Sequence, residues 1–503
     1  MKKKSKIILC GIMTLIMAFV MAMPMSVSAA DRTVSDASEL TQAITEAENG
    51  DTITLGDNIT ITQDITIPAD KNITLNLNGK ILTGKVVVEG GLTVKDNTVA
   101  GSPVVSNDYK TVTYESGKIT NAGTTVLVMG GTFILESGKI ESTGNLGVYV
   151  EGATTHEGNQ IDATATINNG YIEAREFGVG VYGNKATANI EGGVIVGNDN
   201  AAVAGNGSND NTKTYAGTEI NVNGGMLIGH IITDGYIACG IYHPQDGILN
   251  VNGGTVYADN GVGILMRGGE LNMTGGNVIA TGTSSGKVGD STTIQNCYGI
   301  QIDCESGYYD ATNSKGVING GNVQAADGVS TLSVVAGTQV PADGKMVVQN
   351  GAFSSDVSQY VEEGKIAIKY TSSNDEKTYH VGTPEQINDI VRDAVNGDKV
   401  EVLKGNIALS IPVSGVEVSN TGGGSVTVND EEVTADNPVI TTEPVQQPTT
   451  TPGNEQGTTG TEAAGDSAKT GDDFNMTAVI AIMGIAAAAA AGTIVYGRRK
   501  RSN

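Results

Sequence analysis

The groups in this chain able to move protons are a few carboxylates and two arginines. Asp303 and Glu305 stand two residues apart, Asp234, Asp246 and Asp259 sit at turns, and Arg175 and Arg267 are the arginines of the repetitive middle. Neighbouring carboxylates can divide general acid and base work or hold a divalent cation. These match no catalytic spacing, and acidic residues at turns ordinarily face water. No catalytic residue, metal ligand or cofactor-binding residue is therefore assigned, and the expectation leans away from an enzyme. The Asn/Asp-rich stretches Asn198-Asp199-Asn200 and 206–211 could hold calcium loosely, but neither has the ligand spacing of a dedicated loop.

The other reactive side chains are sparse. His156, His230, His243 and His380 are scattered, and an isolated histidine near a turn is ordinarily a satisfied polar residue. Cys239, Cys297 and Cys304 lie outside the first 29 residues, an odd number. Cys239 and Cys297 border equivalent segments two repeats apart, about 10 Å at about 4.8 Å per step, which is beyond disulfide reach. Buried thiols are expected. The aromatic candidates are Tyr149, Tyr182 and Tyr242, which alternate with apolar neighbours and so should point outward from one sheet, with Val203 between the last two. Exposed tyrosines can stack on sugar rings and hydrogen-bond through their hydroxyls. An outward row of Asn189, Asn221, Asn250 and Asn272 could add amide contacts or simply brace the strands.

A recurring phrase must position these groups. Ala188-Asn189-Ile190-Glu191-Gly192-Gly193 recurs as Ile220-Asn221-Val222-Asn223-Gly224-Gly225, Leu249-Asn250-Val251-Asn252-Gly253-Gly254 and Leu271-Asn272-Met273-Thr274-Gly275-Gly276. Looser copies close at Gly138, Gly170 and Gly321, at spacings of 22 to 45 residues. Strict alternation puts Leu249 and Val251 on one face and Asn250 and Asn252 on the other, which is strand periodicity. One repeat reads as strands at 255–258, 263–266 and 270–274, with turns at Asp259-Asn260-Gly261 and Arg267-Gly268-Gly269. Three short strands in about 22 residues make one coil of a solenoid, and longer repeats carry loops, such as 281–293. The predicted fold is all-β: a right-handed, three-sheet parallel β-helix over 86–375. Composition agrees, with 69 glycines, 4% aromatics and no tryptophan. A narrow coil interior is filled by Val, Ile, Leu and Ala.

A helix-led module opens the body at 30–85. Leu40, Ala43, Ile44 and Ala47 share a helical face that stops at Asn49-Gly50, and strand-spaced residues follow Asp51. Such a helix can cap the open end of the solenoid. The same grammar returns within 376–436, where Ile387, Ile390, Val391 and Ala394 precede Asn396-Gly397-Asp398, predicting a second, small β-helix-like module.

Both termini carry export and anchoring signals. Lys2, Lys3, Lys4 and Lys6 precede an apolar run, and Val27-Ser28-Ala29 supplies the small residues of a cleavage site, so 1–29 is expected to be removed between Ala29 and Ala30. Residues 437–466 carry four prolines among Thr, Gly and Gln and should form an unfolded stalk. Residues 476–496 are uncharged and followed by Arg498, Arg499, Lys500 and Arg501, the pattern of a transmembrane helix with a cytoplasmic basic end.

These patterns carry two resemblances. Ser467-Ala468-Lys469-Thr470-Gly471, the apolar span and the basic tail together resemble the LPXTG-type sorting signal of Gram-positive wall proteins. That likeness implies cleavage by sortase between Thr470 and Gly471 and attachment to peptidoglycan, although Ser467 and Ala468 replace the usual Leu-Pro. Residues 36–370 resemble the pectin-lyase-like β-helix proteins of Gram-positive surfaces, through Asn49-Gly50-Asp51, 73–79, the Gly-Gly coils and 353–360. That family includes polysaccharide lyases, which use acidic calcium sites and a basic proton acceptor, hydrolases with clustered Asp, adhesins and spacers. Neither enzyme pattern is matched here.

Charge narrows the partners. Processing at both ends would leave 22 basic and 53 acidic residues, a net charge of −31. Nucleic acid and anionic polysaccharides would be repelled. The expected protein is extracellular, held at the wall or membrane, and contacts a neutral glycan or a host surface protein as an adhesin. The alternatives are a secreted polysaccharide lyase or glycoside hydrolase, and a plain structural spacer.

Overall fold

A computed structural model of the chain describes residues 30–152, 162–205, 217–288, 293–305, 311–336 and 342–442. The expected signal peptide, His156, residues 206–211, most of the expected stalk, Ser467, Ala468, Lys469, Thr470, Gly471 and the expected 476–496 span lie outside the described residues. Among the described residues no helix is long and apolar enough to cross a membrane. The chain divides into two units. In the smaller, the described part is a turn around Tyr109, where Asp108 accepts from the Ser106 hydroxyl at 2.6 Å and the Lys110 amide at 3.2 Å.

The larger unit is a parallel β-helix. Its coils run in the predicted order: Thr255–Ala258, Gly261–Met266 and Glu270–Met273 form one turn, and Asn277–Ala280 begins the next. Stacking these turns builds three sheets. Sheet 1 pairs Ala186–Ile190, Thr218–Val222, Gly247–Val251 and Glu270–Met273 in register. Sheet 2 pairs Tyr171–Ala174, Val194–Gly197, Met226–Gly229, Thr255–Ala258 and Asn277–Ala280. Sheet 3 holds 10 strands, from Ile65–Ile67 through Val148–Glu151, Phe177–Tyr182, Ala201–Gly205, Ala238–His243, Gly261–Met266 and Tyr298–Asp303 to Leu332–Val335. The strands Lys315–Gln324 and Met346–Phe353 run round the corner from sheet 1 to sheet 2, with a register break near Asn319.

The paired glycines make the corner between sheets 1 and 2. The second of each pair, Gly193, Gly225, Gly254 or Gly276, has φ between 73° and 80°. A Cβ on Gly254 would also stand 2.6 Å from the Gly224 carbonyl of the coil below. Both conditions select glycine, and the repeat copies them. Within the sheet 3 strand Gly261–Met266, a Cβ on Gly263 would meet the Val278 side chain at 2.3 Å, so glycine lets sheet 2 fill the interior.

Val, Ile, Leu and Ala from all three sheets fill the central column. Helix α1 (Ala37–Glu46) closes its first end: Asp36 caps it, and Leu40, Ala43 and Ile44 are buried. The second module follows helix α2 (Pro384–Arg392), which begins with a capping box of Thr383 and Gln386 and packs Ile387 and Val391 into a second core. That core extends beyond the predicted 376–436. Ile366 and Ile368 join it, and so does Val439, from Val439–Ile440, which pairs antiparallel with Glu417–Asn420. Thr441 is buried, donating to the Val413 carbonyl and accepting from the Val416 amide at 3.0 Å. Residues 437–442 therefore belong to the fold and not to the stalk, because an apolar valine and a satisfied threonine pin them.

Candidate functional site

The outer face of sheet 3 gathers most of the candidate residues. Register places Tyr149 opposite Gly180, then Ala204, Tyr242, Leu265 and Gln301 along one row. Tyr182 stands two residues further along its strand, opposite Glu151. The expectation of one tyrosine row interrupted by Val203 is thus corrected. Val203 faces the core between Val179 and Ile241, and glycine and alanine fill the row between Tyr149 and Tyr242.

Two regions of this face differ. In the first, Tyr149 and Tyr182 are part-buried and lean together, with ring centroids 6.2 Å apart and planes tilted by 35°. Gly180 makes the room, since a Cβ there would lie 3.2 Å from the Tyr149 ring. In the second, Tyr242 is only 4% exposed, which corrects the expectation that it projects into water. The loop predicted over 281–293 holds the strand Ser285–Lys287, which pairs antiparallel with Ile294–Asn296 just beyond the predicted bound, so the insertion is a hairpin reaching to 296. It folds back so that the Lys287 amide donates to the Gly235 carbonyl and the Ile237 amide to the Lys287 carbonyl, each at 2.9 Å. Its Val288 then buries against Tyr242, Leu265, Val262, Cys239 and Ile237. A third apolar cluster therefore lies outside the coil, on the back of sheet 3.

Under this cover, Arg267 meets Asp303. The guanidinium Nε donates to Asp303 Oδ2 at 3.1 Å and Nη1 to the Tyr242 hydroxyl at 3.3 Å, and each side chain of the ion pair is 1% exposed. Asp303 also accepts from Gln295 Nε2 at 3.2 Å and from the Glu305 amide at 3.0 Å. Burial pulls the Arg267 proton affinity down, but Tyr242 and Asp303 outweigh it and hold the guanidinium charged. A permanently protonated arginine cannot accept a proton, and the Asp303 carboxylate is occupied by three donors. The arrangement braces three coils and a hairpin.

The remaining expected groups do not converge on this network. Arg175, Asp234 and Glu305 are exposed. Asp259 lies 3.7 Å from His230, whose ring meets Tyr257 edge-on. Asp199 accepts from the Ile232 amide and the Thr233 hydroxyl of the next coil. His243 is buried with Nδ1 3.1 Å from the Gly268 carbonyl, and burial pushes its pKa down to about 4, keeping it neutral. Cys239, Cys297 and Cys304 are buried and free, and burial pushes the Cys239 thiol up to about 12 and the Cys297 thiol up to about 11. Among the described residues, no three cation-capable side chains come together. The asparagine row bonds to itself: Asn221 donates to Asn189 at 2.9 Å, Asn250 to Asn221 at 2.8 Å and Asn272 to Asn250 at 3.3 Å.

One feature escaped sequence reasoning. On the outer face of sheet 2, Glu141 bridges Lys118 and Lys139, and Lys139 also bonds Glu173 at 2.8 Å and lies 4.8 Å from the Tyr171 ring centre. Burial would raise the Glu141 pKa, but the two ammonium donors hold it down at about 2. Aligning the coils, which sets Lys118 beside Lys139 and Thr120 beside Glu141, was the available signal. Compared with family models, curated proteins and solved structures, the chain finds no match in any of the three.

Proposed function

We propose that this is an exported β-helix protein of a Gram-positive surface, contacting a neutral glycan or a host surface protein without chemical turnover. Tethering is through sortase and peptidoglycan at Thr470, or through the 476–496 span. The observation that carries the reading is the half-buried Tyr149–Tyr182 pair on a rigid sheet. Two tilted rings held by a fixed backbone offer apolar faces to a sugar with little ordering cost. The Arg267–Asp303 pair supports a binding role over a catalytic one, because each of its side chains is only 1% exposed. The strong negative charge favours neutral ligands over nucleic acid or acidic polysaccharides.

Incubating the mature protein with panels of neutral and acidic glycans tests this reading. Retention of a neutral glycan with no new reducing ends or unsaturated products is expected. Release of such products would establish the second reading, a lyase or hydrolase of the pectin-lyase-like kind.

A further inference from the structure

We infer that export processing completes the first cap: cleavage after Ala29 turns the Ala30 nitrogen into an α-ammonium that forms an ion pair with the Asp51 carboxylate. This rests on the export reading above. Two independent observations meet at one atom. The small-residue cleavage signal ends at Ala29. The next nitrogen, that of Ala30, already lies 2.8 Å from Asp51 Oδ1.

The setting is built for a charge. Asp51 is 2% exposed, and its other oxygen accepts from the Glu48 amide at 3.1 Å. The Ala30 carbonyl accepts from the Thr52 amide at 3.0 Å, and Asp31–Val34 pairs in register with Thr52–Leu55. The nitrogen is therefore held by the first strand of sheet 1. Around it stand two cations already engaged elsewhere: Arg32 is bound by Glu46 at 2.8 Å, and Lys71 donates to the Ala47 carbonyl at 2.7 Å. The carboxylates of Asp31, Glu48 and Asp70 on the same segments are exposed.

The second module contains the same loop without a chain end. Asp398 accepts from the Ser373 amide at 2.7 Å and the Val395 amide at 2.8 Å, matching the donors Ala30 and Glu48 of Asp51. The Asp51 carbonyl accepts from the Thr74 amide as the Asp398 carbonyl accepts from the Glu417 amide. The Gly50 amide donates to the Asn72 carbonyl as the Gly397 amide does to Gly415. In the second copy the chain runs on through Ser373, so that donor is a neutral amide, and the Tyr370 hydroxyl supplies a third hydrogen bond. In the first copy an ammonium brings three N–H groups and a charge to the equivalent place. The precursor offers only an amide there, so cleavage strengthens the cap.

The Ala30 and Glu48 donors hold the Asp51 carboxyl below its ordinary range. The α-amine should in turn titrate above the ordinary range of about 7.7–8.0, by about one unit or more. Its contribution is then present below that ordinary value and lost as pH rises through the shifted one.

The test uses the exported, full mature chain. Its first residue is read by Edman degradation, and the α-amine is titrated through the pH dependence of its acylation, measured by mass spectrometry of the N-terminal peptide. The expected result is a chain beginning at Ala30 whose α-amine titrates about one unit or more above that of a variant carrying one extra glycine before Ala30. In that variant the Ala30 amide still donates to Asp51 while the charge moves away, so the cap stays folded. Asp51→Asn should likewise return the amine to its ordinary range. A chain that begins at Ala30 but whose amine titrates like the extended variant's overturns this inference and leaves export intact. A first residue other than Ala30 overturns the cleavage assignment itself.

Discussion

Tyr149 and Tyr242 occupy equivalent positions on sheet 3, yet one is part of a half-buried ring pair and the other is interior. The strands beneath them are alike. What differs is the hairpin thrown across the later coils, whose Val288 and Gln295 seal Tyr242, Leu265 and the Arg267–Asp303 pair. In a solenoid, strand periodicity decides which side chains leave the core, and loops decide which of those reach water. An insertion can therefore turn a binding position into a bracing one with no change in the coil.

Removing one partner of the covered ion pair should break this contrast most severely. Arg267→Ala leaves the Asp303 carboxylate buried and unpaired and should cost about 3–5 kcal/mol, read by urea unfolding. Arg267→Met combined with Asp303→Asn should cost markedly less, and equal losses would mean that the pair is not solvent-excluded. Leu265→Ala removes apolar contacts beneath the hairpin and should cost about 2–5 kcal/mol while making the hairpin sensitive to limited proteolysis.

The half-buried ladder on sheet 2 sharpens the comparison through pH and salt. Glu141 is held down at about 2, so its contribution is present above the ordinary carboxylate range and fades as pH falls toward 2. Lys139 is held up by Glu141 and Glu173 against burial, so its share fades only as pH rises past the ordinary lysine range. Glu141→Gln should flatten the acid limb of the stability curve, and 0.5 M salt should weaken the wild-type ladder far more than the Arg267–Asp303 pair. Smallest of all in stability is Tyr149→Ala, expected to change unfolding by less than about 1 kcal/mol while abolishing glycan retention.

The coil architecture was legible because backbone constraints repeat. Gly254 and its equivalents need a positive φ and leave no room for a Cβ, and alternating Asn and Val write the strand period directly. Helices α1 and α2 were legible for the same local reason, a cap and an apolar stripe. The environment of Tyr242 was not, since the residues that bury it come from a hairpin more than 40 positions later, which no local pattern announces. Residues 437–442 looked like stalk because Pro438 and the prolines that follow dominate their composition, while Val439 and Thr441 acquire partners only in three dimensions. The Lys118–Glu141–Lys139–Glu173 ladder needed the inter-coil register, which becomes visible only after the coils are aligned.

Glycan retention by the mature chain before and after Tyr149→Ala and Tyr182→Ala, with unfolding curves taken alongside, is the decisive measurement. Binding without turnover that disappears in both variants, at unchanged stability, is the predicted result. Retention that survives both substitutions, or product release that depends on Arg267, would contradict it.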